Sequence, residues 1–190
     1  NDMKYLFLIL GLLLFSCSSY KFKYREGKDL KLTKNNSEEL NGSYMDAPID
    51  SLYYSKNFFE HFNTDTLLEN KQCNFEIKVL DEKHLKVELI EDGNVIDSII
   101  IKGKYSKGYF KLKKTFSAEF VLGPILWGIG DDIKYIGLTK SKDIVLLNAY
   151  GGVMFLVIMP LRGAESSSFN IYRRINQTDS EINSEWRVKN

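Results

Sequence analysis

The chain has few of the side chains from which catalytic and metal sites are most often built. Its 190 residues include only two histidines and two cysteines. Cys17 and Cys73 form no CxxC motif, which argues against a thioredoxin-like redox centre and a zinc ribbon. His61 lies among aromatic residues and His84 in a predicted turn. We therefore interpret both histidines as structural or surface residues rather than catalytic bases.

Strong net charge and catalytic motifs are missing too. The 26 basic side chains nearly balance the 25 acidic ones, so no excess of cations indicates a nucleic-acid partner. The sequence has no Gly-x-Ser-x-Gly elbow, no His-Glu-x-x-His and no phosphate-binding glycine loop. The adjacent Asp131 and Asp132 are more typical of a turn than of a cation site. We expect no enzyme, cofactor or metal; a pair of glycosidase carboxylates, whose spacing is spatial, stays a third alternative.

Only one long apolar run is present, and it lies near the start of the chain. It extends from Tyr5 to Phe15 and follows Met3 and Lys4. A bilayer-spanning helix needs roughly 20 apolar residues, about twice this length. A positive residue before a short apolar run is typical of a signal peptide, which we predict over residues 1–16.

The end of this run, Leu14-Phe15-Ser16-Cys17, resembles the lipobox of bacterial lipoproteins. The resemblance implies a type II signal peptide and a mature protein anchored in the membrane through acylated, palmitate-bearing Cys17. Each buried methylene of an acyl chain contributes about 0.8 kcal/mol, so several chains hold a domain on a bilayer. Ser18 in place of Asp, and no acidic cluster after the cysteine, favour the periplasmic face of the outer membrane in the cell envelope.

Three segments follow Cys17. Residues 17–39 are rich in lysine and lack aliphatic periodicity, which predicts a solvated tether. Residues 40–174 carry the apolar pattern of one domain, and residues 175–190 form a polar tail. We predict a short helix over Ser51 to Phe62, since its apolar residues do not alternate.

Alternation of apolar and polar residues predicts an antiparallel meander of about eight or nine strands. Phe75 and Ile77 alternate with charged residues, and turns with glycine separate this stretch from those that follow. Glycines also predict interruptions, which we place at 117–131, 150–152 and 161–167. An all-β chain of this length closes into a barrel or packs as a sandwich.

Gly42-Ser43-Tyr44 is similar to the Gly-x-Trp motif on the first strand of lipocalins. Arg173 or Arg174 would match the basic residue that packs across that aromatic ring from the last strand. The resemblance implies a lipocalin-like up-and-down barrel over residues 40–174, closed at one end by Gly42, Tyr44 and one of the two arginines. Tyr44 stands where the family has tryptophan, and the segment 46–72 is an insertion.

Two functions fit this pattern. The first is binding of a small apolar or amphipathic ligand, such as a lipid, inside the barrel. Its expected lining consists of the inward residues of the strands: Phe75, Ile77, Val87, Leu89, Phe110, Leu112, Tyr135, Phe155 and Val157. The second is docking on an envelope protein complex through the apolar segment Val121 to Ile129, which could instead serve as a lid or fold back as core.

Overall fold

The structure, a computed structural model, describes residues 29–52, 56–62, 73–120, 125–157 and 159–175. Two short 3₁₀ helices, Lys34–Leu40 and Phe59–His61, accompany the strands. In chain order the strands are β1 (Asp29–Leu30), β2 (Gly42–Met45), β3 (Asp50–Leu52), β4 (Asn74–Val79), β5 (His84–Glu91), β6 (Asn94–Ser106), β7 (Tyr109–Leu112), β8 (Thr115–Phe120), β9 (Leu126–Thr139), β10 (Ile144–Leu156) and β11 (Met159–Tyr172).

The strands form one curled antiparallel sheet. Its order is β2-β4-β5-β6-β7-β9-β10-β11-β3, so most neighbours in the sheet are also neighbours in the chain. β1, β7 and β8 all pair with β9, each over a different stretch of it. The prediction of an all-β, antiparallel, barrel-like meander is confirmed.

The two ends of the sheet meet. The backbone N–H of Met45 in β2 donates to the carbonyl of Arg173, just after β11, at 2.9 Å. The N–H of Ile175 donates to the carbonyl of Ser43 at 2.8 Å. β3, which follows β2 in the chain, pairs with β11 directly. Because these contacts occupy the edge of β2, this end of the barrel is closed.

Aromatic rings fill the interior at the closed end. Phe58 stacks on Phe75 with ring centres 4.0 Å apart, and Tyr172 meets Phe58 edge-on at 5.1 Å. Tyr44 stacks on the other side of Phe75 at 5.3 Å. The aliphatic residues that complete this core come from alternate positions of the surrounding strands: Ile77, Leu85, Val87, Leu89, Ile101, Ile136, Leu138, Ile144 and Leu146.

β9 and β10 also bury residues on their opposite face. Tyr135, Val145, Leu147 and Ala149 belong to a second apolar cluster, which includes Phe169. Since side chains alternate between the faces of a strand, these residues point away from the barrel interior. The central strands are therefore apolar on both faces.

Strands occupy much of the first predicted interruption and all of the other two. β8, β9, β10 and β11 run through 117–120, 126–131, 150–152 and 161–167, and 121–124 lie outside the described residues. A Cβ on Gly130 would come within 2.5 Å of the Tyr150 hydroxyl, and one on Gly152 within 3.0 Å. The tyrosine ring lies across both glycines, which explains why they stand inside strands instead of ending them.

Described elements occur earlier in the chain than the predicted domain start at residue 40. Asp29 and Leu30 pair with the end of β9, and Leu32 is buried in the main core. The tether interpretation of residues 17–39 therefore does not apply to 29–39. The helix predicted over Ser51 to Phe62 is reduced to Phe59–His61, because Asp50–Leu52 pairs as a strand with β11; residues 53–55 lie outside the described part.

Candidate functional site

The closure residues named from the sequence lie together at one end of the barrel. Tyr44 and Arg174 form a backbone bridge, and the guanidinium carbon of Arg174 is 5.6 Å from the centre of the Tyr44 ring. A Cβ on Gly42 would stand 2.8 Å from Nη2 of Arg174, so glycine provides the room that the guanidinium needs. Arg173 is exposed and contributes its backbone carbonyl. Of the two arginines, Arg174 therefore makes the contact.

The polar groups of Arg174 and Tyr44 are bonded to the chain itself. Arg174 donates from Nη1 to the carbonyl of Glu39 at 3.2 Å and from Nη2 to the carbonyl of Asn41. The Tyr44 hydroxyl donates to the carbonyl of Leu40 at 2.9 Å. Burial raises the pKa of Tyr44 to about 12, although the nearby Arg174 acts in the opposite direction. We interpret this end as a structural closure and not as a ligand site.

Most of the nine predicted lining residues do not line an open cavity. Phe75, Ile77, Val87, Leu89 and Phe110 are fully buried in the main core. They face the interior as alternation predicts, but they fill it. Of the remaining four, Tyr135 belongs to the second cluster, Phe155 lies at the far end of β10 with Val157 in the turn that follows, and Leu112 borders a slot in the barrel wall.

This slot arises where β6 and β7 separate. The two strands pair only between Gly103–Ser106 and Tyr109–Leu112. β6 pairs with β5 along its earlier residues, whereas the chain after β7 turns into β8, which pairs with β9. Between them lies a cavity of about 480 Å³, open to solvent.

The slot has apolar walls and a basic rim. Phe62, Ile99 and Leu112 are partly buried against the main core, so their exposed sides form the inner wall together with Ile101. Lys102 and Lys113 are exposed at the edge. Ile100, also at the rim, is 60% exposed. An apolar pocket with two cations at its mouth suits a molecule that has an apolar body and a negative group.

Further along β10 and β11 from the aromatic rings, the inward-facing residues are polar. The Asn170 amide lies 3.1 Å from Nε2 of His61, and the Asn148 amide donates to the Ser168 hydroxyl at 3.4 Å. The Oδ1 atoms of both asparagines are buried without a hydrogen-bond partner in the structure as described. Burial, with the charge of Lys134 acting in the same direction, lowers the pKa of His61 to about 4, so its imidazole is neutral at neutral pH.

The segment predicted as a lid or docking patch contributes to a sheet. β8 to β11 continue past the core as a four-stranded arm, defined by 115–120, 126–132, 150–156 and 159–166. In this arm Phe116 is 73% and Phe120 67% exposed. Leu126 and Trp127 belong to β9, and Ile125 immediately precedes it. Of the segment Val121 to Ile129, Ile125 and Ile129 are thus exposed on the arm and Leu126 and Trp127 are partly exposed, whereas 121–124 lie outside the described residues.

The cysteine and the acidic pair noted in the sequence have structural surroundings in the described part of the chain. Among the described residues no group of three or more His, Cys, Asp and Glu could hold a metal ion. Cys73 is buried in the core, where a thiol is sheltered. Asp131 and Asp132 form ion pairs with Lys114 and Lys134.

No helix in the part of the chain that the structure describes is both long and apolar enough to cross a membrane.

Comparison with protein families, curated proteins and solved structures finds no match to this chain. The site must therefore be interpreted from its own geometry. Sequence reasoning missed Phe62, Ile99, Ile101, Lys102 and Lys113. The available signal was that residues 95–101 are apolar on both faces, which is unusual for a strand with one face in water.

Proposed function

We propose that this domain binds a small anionic amphiphile in the slot between β6 and β7, without chemical conversion. The observation that carries the proposal is an open cavity of about 480 Å³ with an apolar wall and lysines at its rim. Its volume lies within the range of about 300–1,000 Å³ that is usual for small-molecule sites. The site differs from the barrel interior that the sequence indicated, but the expected class of ligand is similar.

The apolar wall supplies most of the affinity. Each methylene that leaves water contributes about 0.8 kcal/mol, whereas an exposed ion pair contributes at most about 1 kcal/mol. Lys102 and Lys113 therefore select and orient a negative group, such as a carboxylate or phosphate, at the mouth. The hydrocarbon body lies against Phe62, Ile99 and Leu112.

We also propose that acylated Cys17 holds the domain at the periplasmic face of the outer membrane. The support is the lipobox-like Leu14-Phe15-Ser16-Cys17. A domain at a bilayer surface meets amphiphiles at high local concentration. Incorporation of labelled palmitate, absent in Cys17→Ala, tests this anchor; equal labelling of both proteins would contradict it.

Uptake of a fluorescent fatty acid by the protein tests whether the slot binds a ligand. Leu112→Trp should fill the cavity and remove most uptake, because the new ring occupies the space of the acyl chain. Lys102→Glu combined with Lys113→Glu should weaken uptake roughly fivefold or more, since the negative group meets like charges. Lys104→Glu is the matched control, because Lys104 is exposed on the same strand but does not line the slot.

The outcomes separate clearly. Uptake by the unmodified protein that Leu112→Trp abolishes and Lys104→Glu leaves unchanged would support the site. An unmodified protein that takes up no fatty acid, or a Leu112→Trp variant that binds as well as the unmodified protein, would overturn it. Far-ultraviolet circular dichroism checks that each variant keeps its strand content.

A further inference from the structure

The end of the arm is apolar. Trp127 stacks on Phe155 with ring centres 4.4 Å apart, and Phe120 lies 6.5 Å from Trp127. The turn after β10 is tied to the segment before β9, because Val157 N–H donates to the Ile125 carbonyl at 2.6 Å. We call the following seven residues the apolar tip: Phe120, Ile125, Leu126, Trp127, Phe155, Leu156 and Val157.

Both faces of the sheet are apolar at this tip. Trp127 pairs with Phe155 and with Phe120 across the strands, so these three rings share one face. Leu126 pairs with Leu156. Because neighbouring residues in a strand point to opposite faces, the two leucines lie on the other face. Among the residues that the structure describes, both faces of the tip are thus apolar.

Charged positions mark how deep this apolar zone is. The nearest ones along the strands are Glu119 in β8, Asp131 in β9 and Arg162 in β11, and β10 contains none. Glu119 pairs with Gly128 and Arg162 with Met154, which places both at one level across the sheet. The chain rises at most about 10 Å from Met154 to Val157, the turn residue that follows β10.

We propose that the apolar tip inserts into the surface layer of a lipid bilayer. A bilayer surrounds an inserted element on all sides, which fits apolar residues on both faces and at the turn. A protein partner would cover one face, and a second copy would pair along a strand edge. The apolar depth of at most about 10 Å matches the 5–10 Å to which interfacial elements enter the headgroup and acyl boundary.

Charge at the base of the arm fits the same occupant. β8 begins directly after Lys113 and Lys114, so two cations lie at the base of the arm, beyond Glu119 and the apolar zone, and Lys114 is paired there with Asp131. Lys113 is exposed, and the Lys114 ammonium is 4.8 Å from the centre of the Phe116 ring. A basic residue such as Lys113, on the same arm as an apolar element, adds attraction to an anionic surface.

Quenching of Trp127 fluorescence by brominated lipids tests the insertion. The chain has two tryptophans, so Trp186→Phe leaves Trp127 as the single reporter. The full chain carrying this change is reconstituted in vesicles of phosphatidylethanolamine and phosphatidylglycerol with bromine at different acyl depths. Strong quenching by shallow bromines and weak quenching by deep ones is the expected result.

Two valines provide a matched pair. Val157 in the tip and Val95 on β6 are both 54% exposed. Val157→Glu should lower the ratio of inserted to free tip about tenfold, because a carboxylate replaces an apolar side chain in the bilayer. Val95→Glu should leave the quenching unchanged.

Other occupants give different signals. A tip that bromolipids do not quench but that is shielded from acrylamide would be covered by a protein or by a second copy, and the membrane proposal would be overturned. Equal quenching in the two valine variants would overturn it as well. Fatty-acid uptake by the slot, measured on the same proteins, is independent of both results.

Discussion

β9 and β10 pass through two different surroundings. In their barrel halves Leu138 and Val145 are fully buried. In their arm halves Ile129, Val153 and Met154 are 38–44% exposed. Both halves are rich in apolar residues on both faces. Apolar alternation therefore identifies a strand, but it does not distinguish a core from a contact surface.

What faces each half makes the difference. The barrel half packs against the aromatic rings of Phe58, Phe75 and Tyr172 on its inner side, and it belongs to a second apolar cluster on its outer side. The arm half has no such layer among the described residues. Substitutions in the two halves should therefore differ in what they affect: stability in the barrel and association in the arm.

The largest expected contrast is between two phenylalanines. Phe75→Ala should destabilise the fold by about 3–5 kcal/mol, since it removes a fully buried ring that stacks on Phe58 and Tyr44. Phe116→Ala, in the arm and 73% exposed, should cost less than about 0.5 kcal/mol. Urea unfolding of both variants measures the difference. Equal losses would mean that the arm is part of the same core.

The next effect is a pH dependence within the barrel. Burial raises the pKa of Asp46 to about 6, although the Phe59 N–H that donates to it acts in the opposite direction. The folded chain thus holds this proton to higher pH than the unfolded chain. Stability should therefore decrease as pH rises from about 4 to about 6, by up to about 3 kcal/mol from this group.

The titration of His61 changes folding stability with pH in the opposite direction. Because its pKa is lowered to about 4, the unfolded chain takes up the proton first on acidification, and stability is lost as pH falls from about 6.5 to about 4. The two contributions offset each other in the unmodified protein. Asp46→Asn should therefore make the loss of stability between pH 6.5 and 4.5 steeper, as measured by urea unfolding. A slope that does not change would show that Asp46 ionises as an exposed carboxyl does.

The smallest of these effects compares adjacent arginines at the closed end. Arg174→Ala should cost about 2 kcal/mol, since it leaves the carbonyls of Glu39 and Asn41 without their donor and removes the contact with Tyr44. Arg173→Ala should be nearly neutral, because that side chain is exposed. Thermal unfolding separates the two. A larger loss of stability in Arg173→Ala than in Arg174→Ala would show that Arg174 does not make the closing contact.

Local patterns were enough to predict the meander and the inward residues of β4 and β5. Phe75, Ile77, Val87 and Leu89 face the interior because period-two alternation fixes the face of each side chain. Whether the interior is hollow depends on how rings from distant segments meet. Phe58 lies 17 residues before Phe75 in the chain, and its ring reaches the interior through a segment without periodicity.

Strand ends were harder to predict, for a physical reason. A single sequence does not distinguish a glycine that ends a strand from a glycine that makes room for a neighbouring ring. Only the pairing of β9 with β10 shows that Tyr150 lies over Gly130 and Gly152. The slot depends in the same way on where β6 and β7 separate, which is a property of the sheet and not of either segment.

Because β1 pairs with the end of β9, the length of β9 gives the distance between Asp29 and the apolar tip. Asp29 lies opposite Thr139, and Leu126 is at the other end of β9, about 43 Å away at 3.3 Å per residue. Asp29 lies twelve residues after Cys17, and twelve fully extended steps along the chain reach at most about 43 Å. If Cys17 is acylated and the apolar tip inserts, as proposed above, both reach one bilayer even when β9 stands upright, but only when the chain between Cys17 and Asp29 is fully extended. Removing a few residues between Cys17 and Asp29 would exclude the upright orientation and leave the tilted and flat ones.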